Sequence, residues 1–394
     1  MDMSSIGPDL VEAAHGLQDT TVELRRAIHA EPEIGLDNPR TQAKILDALT
    51  GLGLDITTGE SLTSVVADLD TGRPGPTILL RGDMDALPLQ EDNDIPYRSQ
   101  FEQVMHACGH DSHVAMLLSA ARLLAENKDQ LNGRIRFMFQ PGEEGYHGAK
   151  YMIDEGVLDG VDRAFAIHIV TTMPSGRFYS KPGPVLASAD RFELTVTGKG
   201  GHASMPADCI DPIPAAAATV LGLHTMVGRA RAATDPAVIT VANIHSGTTN
   251  NIIPESAFME GTLRTFSETT RAHLKEQIEQ VASHTSAAHG CSCTTNIVPG
   301  YPVTVNDALE VERSERTANA IFGDVAMEML PHGIMAAEDF SYVLNEVPGS
   351  MATLGVCPPD VPLAEAAPNH SNFMVIDEDA MQRGVALYAA MAMA

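Results

Sequence analysis

The chain has 394 residues, with 25 Lys plus Arg against 52 Asp plus Glu, a formal net charge of −27, and 44% apolar residues. That length suits about two domains and supplies enough apolar material for a large core, while a charged fraction of 20% is too low for a disordered polyelectrolyte. The acidic balance argues against nucleic acid or an anionic membrane as partner, since both need a basic surface, but it leaves room for a small anionic substrate held by a few local cations.

Residues 1–16 carry neither a cationic n-region nor an apolar h-region, so no signal peptide is expected. Residues 17–50 read as helical with an interruption from Pro32 to Pro39, and 63–70 and 77–81 read as strands around a Gly-Pro turn. From Asp111 the apolar residues Val114, Leu117, Leu118, Ala121 and Leu124 keep helical spacing, with Asp111 or Ser112 as the expected cap. Arg134–Gln140 alternates Ile135, Phe137 and Phe139 as a half-buried strand, and Ala164–Ile169 is a short apolar strand containing His168. Strands alternating with helices predict an α/β fold. The pattern then changes. A strand at 191–197, a helix at 211–229, strands at 237–245 and 256–265, a helix at 268–288 and a strand at 292–298 give the order β-α-β-β-α-β, the ferredoxin-like unit. The expected organisation is therefore an inserted domain at 189–300 within an outer domain formed by 1–188 and 301–394, the latter ending in a helix at 377–391.

The five cysteines, Cys108, Cys209, Cys291, Cys293 and Cys357, are too few and too scattered for a disulfide framework, and they suggest a reducing compartment or a ligand role. The longest mildly apolar stretch, Pro214–Gly228, is shorter than the ~20 residues a membrane span requires. The expectation is a soluble cytoplasmic protein.

The densest chemical signal is His106-Ala-Cys108-Gly-His110-Asp111-Ser-His113 at the start of a predicted helix. Thiolate and imidazole are natural ligands for zinc-like metals, and three histidines, a cysteine and an aspartate within eight residues outweigh a reading as solvated or capping side chains. Glu143 and Glu144 follow the alternating strand; two such carboxylates can divide the work, one on a metal and one as a base, although alone they read as an acidic turn. His168 taken alone is a core histidine, and Pro368-Asn-His370-Ser-Asn372 taken alone is a loop. Asp83 and Asp85, in Arg81-Gly-Asp-Met-Asp-Ala-Leu-Pro88, can orient histidines from behind, or simply end a strand.

Taken together, these motifs resemble the M20 metallopeptidase family, and closely its amidohydrolase branch of hippurate hydrolases, indole-acetyl-amino-acid hydrolases and N-acyl-amino-acid deacetylases. The matched stretches run in family order: Leu24–Gly35, Arg81–Pro88, Met105–His113, Phe139–Gly145, Lys199–Pro206, Asn251–Pro254, Gly261–Thr265, Ala337–Phe340 and Asn369–Asn372. The resemblance implies a mixed-sheet catalytic domain with an inserted ferredoxin-like lid and dimerisation domain. It also implies two divalent ions (Zn, Mn, Ni or Co), with Cys108 bridging both, Glu144 and His370 completing one, and His110 and His168 completing the other. Glu143 would be the general base, Asp85 would support a ligand, and His202 would steady the developing oxyanion. Asn251 and Arg264 would bind substrate, with Asn250 an adjacent alternative to Asn251, and Glu338 and Asp339 would be scaffolding. Where the wider family carries aspartates in the bridging position and one terminal position, Cys108 and His168 stand here; Asp83 replaces the usual histidine of His-x-Asp. The implied activity is cleavage of the amide bond of N-acyl-L-amino acids by a homodimer or higher homo-oligomer. A dipeptidase or aminopeptidase on the same scaffold is the alternative.

Overall fold

Alternation of Ile135, Phe137 and Phe139 does make a strand of Arg134–Gln140, but the intervening Arg136 and Met138 are buried too, so the strand is covered on both faces rather than one. It lies inside an eight-stranded mixed sheet of the computed structural model, which describes residues 3–323 and 325–394. The elements leading to it are helices α1 (Met3–Gly16), α2 (Gln18–His29) and α3 (Pro39–Leu49), then strands β1 (Asp55–Thr58), β2 (Val65–Asp70) and β3 (Thr77–Asp83), and helix α4 (His110–Glu126). After β4 (Arg134–Gln140) come helix α5 (Gly148–Asp154) and strand β5 (Arg163–Val170). The sheet order is β1-β2-β4-β3-β5, continued by Gly349–Gly355, Phe178–Ser180 and Met327–Met329. β3 is parallel to both β4 and β5, and β5 is parallel to Gly349–Gly355. β1, β2 and β4 pair antiparallel.

The helical spacing read from Asp111 onward belongs to α4, which is buried along nearly its whole length. Its expected side-chain cap is absent. Gly109, in the left-handed region at φ +87°, occupies the N-cap, and Ser112 Oγ instead donates to Gly109 O. Asp111 turns inward, where its carboxylate receives Arg25 Nε at 2.7 Å and His29 Nδ1 at 2.8 Å. A long-range ion pair has displaced a local cap.

The chain forms two compact units. The larger comprises Met1–Gly183, Val305–His332 and Tyr342–Ala394 and contains the eight-stranded sheet. The smaller comprises Pro184–Thr304 together with Gly333–Ser341, so the segment 333–341, expected in the outer domain, belongs to the smaller unit. Its four-stranded sheet is antiparallel in the order Ala237–Ser246, Ser256–Thr265, Asp190–Thr197, Ser292–Pro299, the arrangement that β-α-β-β-α-β connectivity produces. Phe192, Leu194 and Val196 alternate inward and cluster with Leu223 of helix Pro212–Val227 and with Leu274 and Ile278 of helix Glu268–Ala288. Burial of each such side chain is worth about 1.5–3 kcal/mol. Asp211 and Ser267 cap the two helices. Among the described residues no helix is long and apolar enough to cross a membrane.

Candidate active site

The carboxyl ends of β4, β3 and β5 lie side by side in the larger unit, where parallel sheets place their binding crevices. β3 runs through Asp83 towards Asp85, β4 leads to Glu143 and Glu144, β5 carries His168 one residue short of its buried end, and Cys108 in the loop before α4 is followed by His110 at the helix's first position. As the alternation of β5 requires, His168 faces away from the buried Phe165, Ile167 and Ile169.

The side chains converge. Cys108 Sγ stands 3.4 Å from His168 Nε2 and 3.3 Å from His370 Nε2. His370 Nε2 is 3.3 Å from Glu144 Oε1, and His110 Nε2 is 4.0 Å from the same oxygen. Two triads result, Cys108–His110–His168 and Cys108–Glu144–His370, each with its donor atoms within 4.8 Å of one another and both sharing Cys108. The glutamate neighbouring the second triad, Glu143, also lies within this distance of His110 and Glu144 and is buried.

The donors fit divalent cations. His110 Nδ1 bonds Asp85 O at 2.9 Å and His168 Nδ1 bonds Ile169 O at 2.7 Å, so each ring donates from Nδ1 and keeps the Nε2 lone pair for the site. His110 Nε2, 3.3 Å from Asp83 Oδ2, and Glu144 Oε1, 3.3 Å from His370 Nε2, are both shut away from water among charged groups, a costly state that a cation relieves. One thiolate, three imidazoles and a carboxylate form a donor set for zinc-class metals. Without a cation the same groups shift one another. Burial opposes charge on His110, yet Asp83 and Cys108 raise it well above the usual imidazole value, so a metal would have to displace a proton there. Burial opposes charge on Cys108, yet His168 and His110 draw its thiol down to about 6. Burial likewise opposes charge on Glu144, but His370 and His110 hold its carboxyl below the usual range. Hydrogen bonds to Cys108 and Glu144 lift His370 to about 10.

Asp85 holds the Glu143–Glu144 loop from behind. Its two carboxylate oxygens accept the backbone N–H of Glu143 at 2.9 Å and of Glu144 at 3.1 Å, while its own carbonyl orients His110. Asp83, which the sequence left open, is part of a second buried support. It takes His113 Nδ1 at 2.6 Å and Arg81 at 2.8 Å, and the His113 Nε2 accepts the Ile169 N–H at 2.9 Å. Burial drives His113 down to about 4, which keeps the neutral ring that this chain of bonds requires. His113 thereby braces the backbone next to His168; its helical spacing from His110 was the signal for it. His106, first of the histidine run, is buried outside both triads, its ring 6.2 Å from that of His29. Gly109 lies between two ligand candidates where only glycine fits, because a Cβ there would sit 2.4 Å from Ile169 Cδ1.

The remaining candidates lie in the smaller unit. His202 is exposed on a two-residue strand whose partner is Ile252, and its Nδ1 accepts from Ser204 N and meets Ser204 Oγ at 2.8 Å. Asn251 adjoins it, its carbonyl accepting the Ala203 N–H at 3.1 Å. The Asn251 Oδ1 takes the Thr249 hydroxyl. Arg264 is half-buried on strand Ser256–Thr265, its side chain without a hydrogen bond or ion pair among the described residues, and burial lowers its pKa. Glu338 and Asp339 are buried, and the Glu338 carboxylate accepts the Phe340 N–H. Cys209, Cys291, Cys293 and Cys357 are all free thiols, and none enters a candidate metal cluster among the described residues.

Fold and site define a hydrolase that uses two divalent metal ions. The chain belongs to peptidase family M20/M25/M40, whose profile matches residues 79–394. It is 38% identical over 392 residues to thermostable carboxypeptidase 2 of Saccharolobus solfataricus, covering 98% of each chain. It is 37% identical over 398 residues to the IAA-amino acid hydrolase ILR1-like 2 of Arabidopsis thaliana, covering 99% of this chain and 89% of that one. Among solved structures, the YXEP protein of Bacillus subtilis, described as a dinuclear metal binding peptidase of the M20 family, superposes with a TM-score of 0.82 at 30% identity, covering 96% and 98% of the two chains. The protein is thus a metal-dependent amide hydrolase.

Proposed function

We propose that the chain cleaves the amide bond of N-acyl-L-amino acids, releasing a carboxylic acid and a free amino acid, with Glu143 as general base. The observation that carries the reading is the shared-thiolate pair of triads with a second buried glutamate beside it, its backbone pinned by Asp85. Cys108, Glu144, His370, His110 and His168 would hold two divalent cations, which would supply Lewis acidity to an attacking water and to the scissile carbonyl. Glu143 removes a proton from the attacking water; as the C–O bond forms and the C–N bond breaks, it returns that proton to the departing amine. His202 donates a hydrogen bond to the oxygen that gains charge. Arg264 and Asn251 receive the substrate's free carboxylate, the guanidinium supplying the charge and the amide an N–H donor. The plant relative's name, IAA-amino acid hydrolase, supports this class.

The carboxypeptidase relatives favour the second reading, a peptidase on the same scaffold, of which a dipeptidase or aminopeptidase is the form the sequence suggested. Amine release by the metal-loaded protein, measured across N-acetyl, N-benzoyl, indole-acetyl and long-chain acyl amino acids alongside dipeptides, separates the two. Cleavage of acyl amino acids but not dipeptides supports the first; dipeptides as the better substrates overturn it. The smaller unit is assigned as lid and homodimer contact, and a monomeric mass by light scattering would refute the second half of that assignment.

A further inference from the structure

His370 has φ +69°, a left-handed conformation that a non-glycine residue keeps only when its surroundings hold it there. Its N–H bonds Ala107 O at 2.6 Å. Much of the remaining restraint comes from the preceding side chain. Asn369 Oδ1 accepts the Thr171 N–H at 3.2 Å and lies 3.4 Å from Thr171 Oγ1. A backbone N–H can only donate, so this contact identifies the oxygen end of the amide. The Nδ2 end therefore faces Cys108 O at 3.2 Å, Ile169 O at 3.1 Å and Cys108 Sγ at 4.0 Å. Thr171 Oγ1 closes the arrangement by donating to Ala367 O at 2.7 Å.

One amide thus touches the loop that carries Cys108 and the strand end that carries His168, and it is covalently next to His370. We infer that Asn369 is a positioning residue for the metal centre: its side chain fixes the spacing of these three ligand-bearing segments and aims an N–H at the shared sulfur. The inference rests on the ligand assignment proposed above. It explains the residue type as well as the place. The site asks for two N–H donors towards two carbonyls and a sulfur, and for one acceptor towards a backbone N–H; asparagine offers that combination on a short stem. Aspartate has nearly the same shape but would set oxygen against three acceptors.

The test measures metal binding and its spectrum rather than turnover. Metal-free wild-type, Asn369→Asp, Asn369→Ala and Thr171→Val proteins are titrated with zinc in competition with a chelator, and each is loaded with cobalt(II) to record the thiolate-to-cobalt absorption band. Asn369→Asp and Asn369→Ala should weaken at least one ion by about 10–100-fold, the usual effect of losing a partner behind a ligand, and should shift the band. Thr171→Val keeps the backbone N–H and loses only the hydroxyl, so it should move both readings in the same direction by less. Should Asn369→Asp fail to fold, Asn369→Ala and Thr171→Val decide the matter. A band present in wild type, with affinities and band position unchanged in the folded variants, overturns the positioning role while leaving the ligand assignment intact. Absence of the band in wild type, or its persistence in Cys108→Ala, overturns the ligand assignment itself.

Discussion

Asp85→Ala isolates what holds the Glu143–Glu144 loop. The carboxylate is buried at 1% exposure and accepts two backbone N–H groups, those of Glu143 and Glu144. Hydrogen bonds to a charged acceptor contribute about 1.5–3 kcal/mol each, so their joint loss costs at most roughly 3–6 kcal/mol if neither N–H finds water, offset by the burial that raises the Asp85 pKa. The Glu143 N–H bond is fully buried and that of Glu144 only partly so, which places the expected loss in the lower half of that range. The site suffers separately, because Glu144 loses its anchor; metal affinity should fall about 10–100-fold. Asp85→Asn, which keeps one acceptor oxygen, should fall between the wild type and Asp85→Ala in both respects. Thermal unfolding of the metal-free protein reads the first effect, and zinc competition with a chelator reads the second. An Asp85→Ala protein that melts and binds zinc like the wild type would refute the claim that this carboxylate organises the loop.

Further outcomes follow from the same geometry. Glu143→Gln should lower turnover about 10²–10⁴-fold with metal content near normal; loss of metal on elemental analysis would make Glu143 a ligand instead. Cys108→Ser should strip at least one ion from the purified protein, and full metal content with full activity would defeat the shared-thiolate assignment. In the smaller unit, Asp190 is opposed by burial but held below the usual carboxylate range by Arg271 and Lys275, with Arg271 Nε at 2.7 Å. A depressed carboxyl contributes stability that is fully present above its unfolded value near ~4 and is lost as pH falls through the lower folded value. Asp190→Asn should therefore flatten the acid limb of a stability-versus-pH curve below about pH 4 and cost roughly 3–5 kcal/mol at neutral pH. An acid limb identical to wild type would show that the pair carries no such linkage.

Sequence patterns exposed some of this molecule and hid the rest for identifiable reasons. The antiparallel unit was legible because each strand has one wet face: Phe192, Leu194 and Val196 alternate with Glu193, Thr195 and Thr197, and the observed strand Asp190–Thr197 differs from the reading by one residue. The central strand Gly349–Gly355 was not read, because burial on both sides removes the alternation that would mark it. Helix α1, the edge strand β1 and the helix Ala308–Phe322 were also not read. β1 has all four residues exposed and so carries no apolar signal. Among site residues, the His106–His113 run announced itself through density, whereas His168 and His370 look ordinary in isolation and became candidates only through the family resemblance. Asn369 and Asp111 illustrate the opposite limit. Their partners, Thr171 and Ile169 for one, Arg25 and His29 for the other, are distant in the chain, and no local pattern records such contacts.

The two triads differ in when the chain can complete them. Cys108, His110 and His168 have all been synthesised once residue 168 is made, while the second triad waits for His370, 202 residues later by their numbers (370 − 168). At about 5–20 residues per second, translation separates the two by roughly 10–40 s. During that interval Cys108, His110 and His168 are all in the chain and the imidazole of the other triad is not. The position of one histidine thus sets the order in which synthesis makes the ligands of the two triads available.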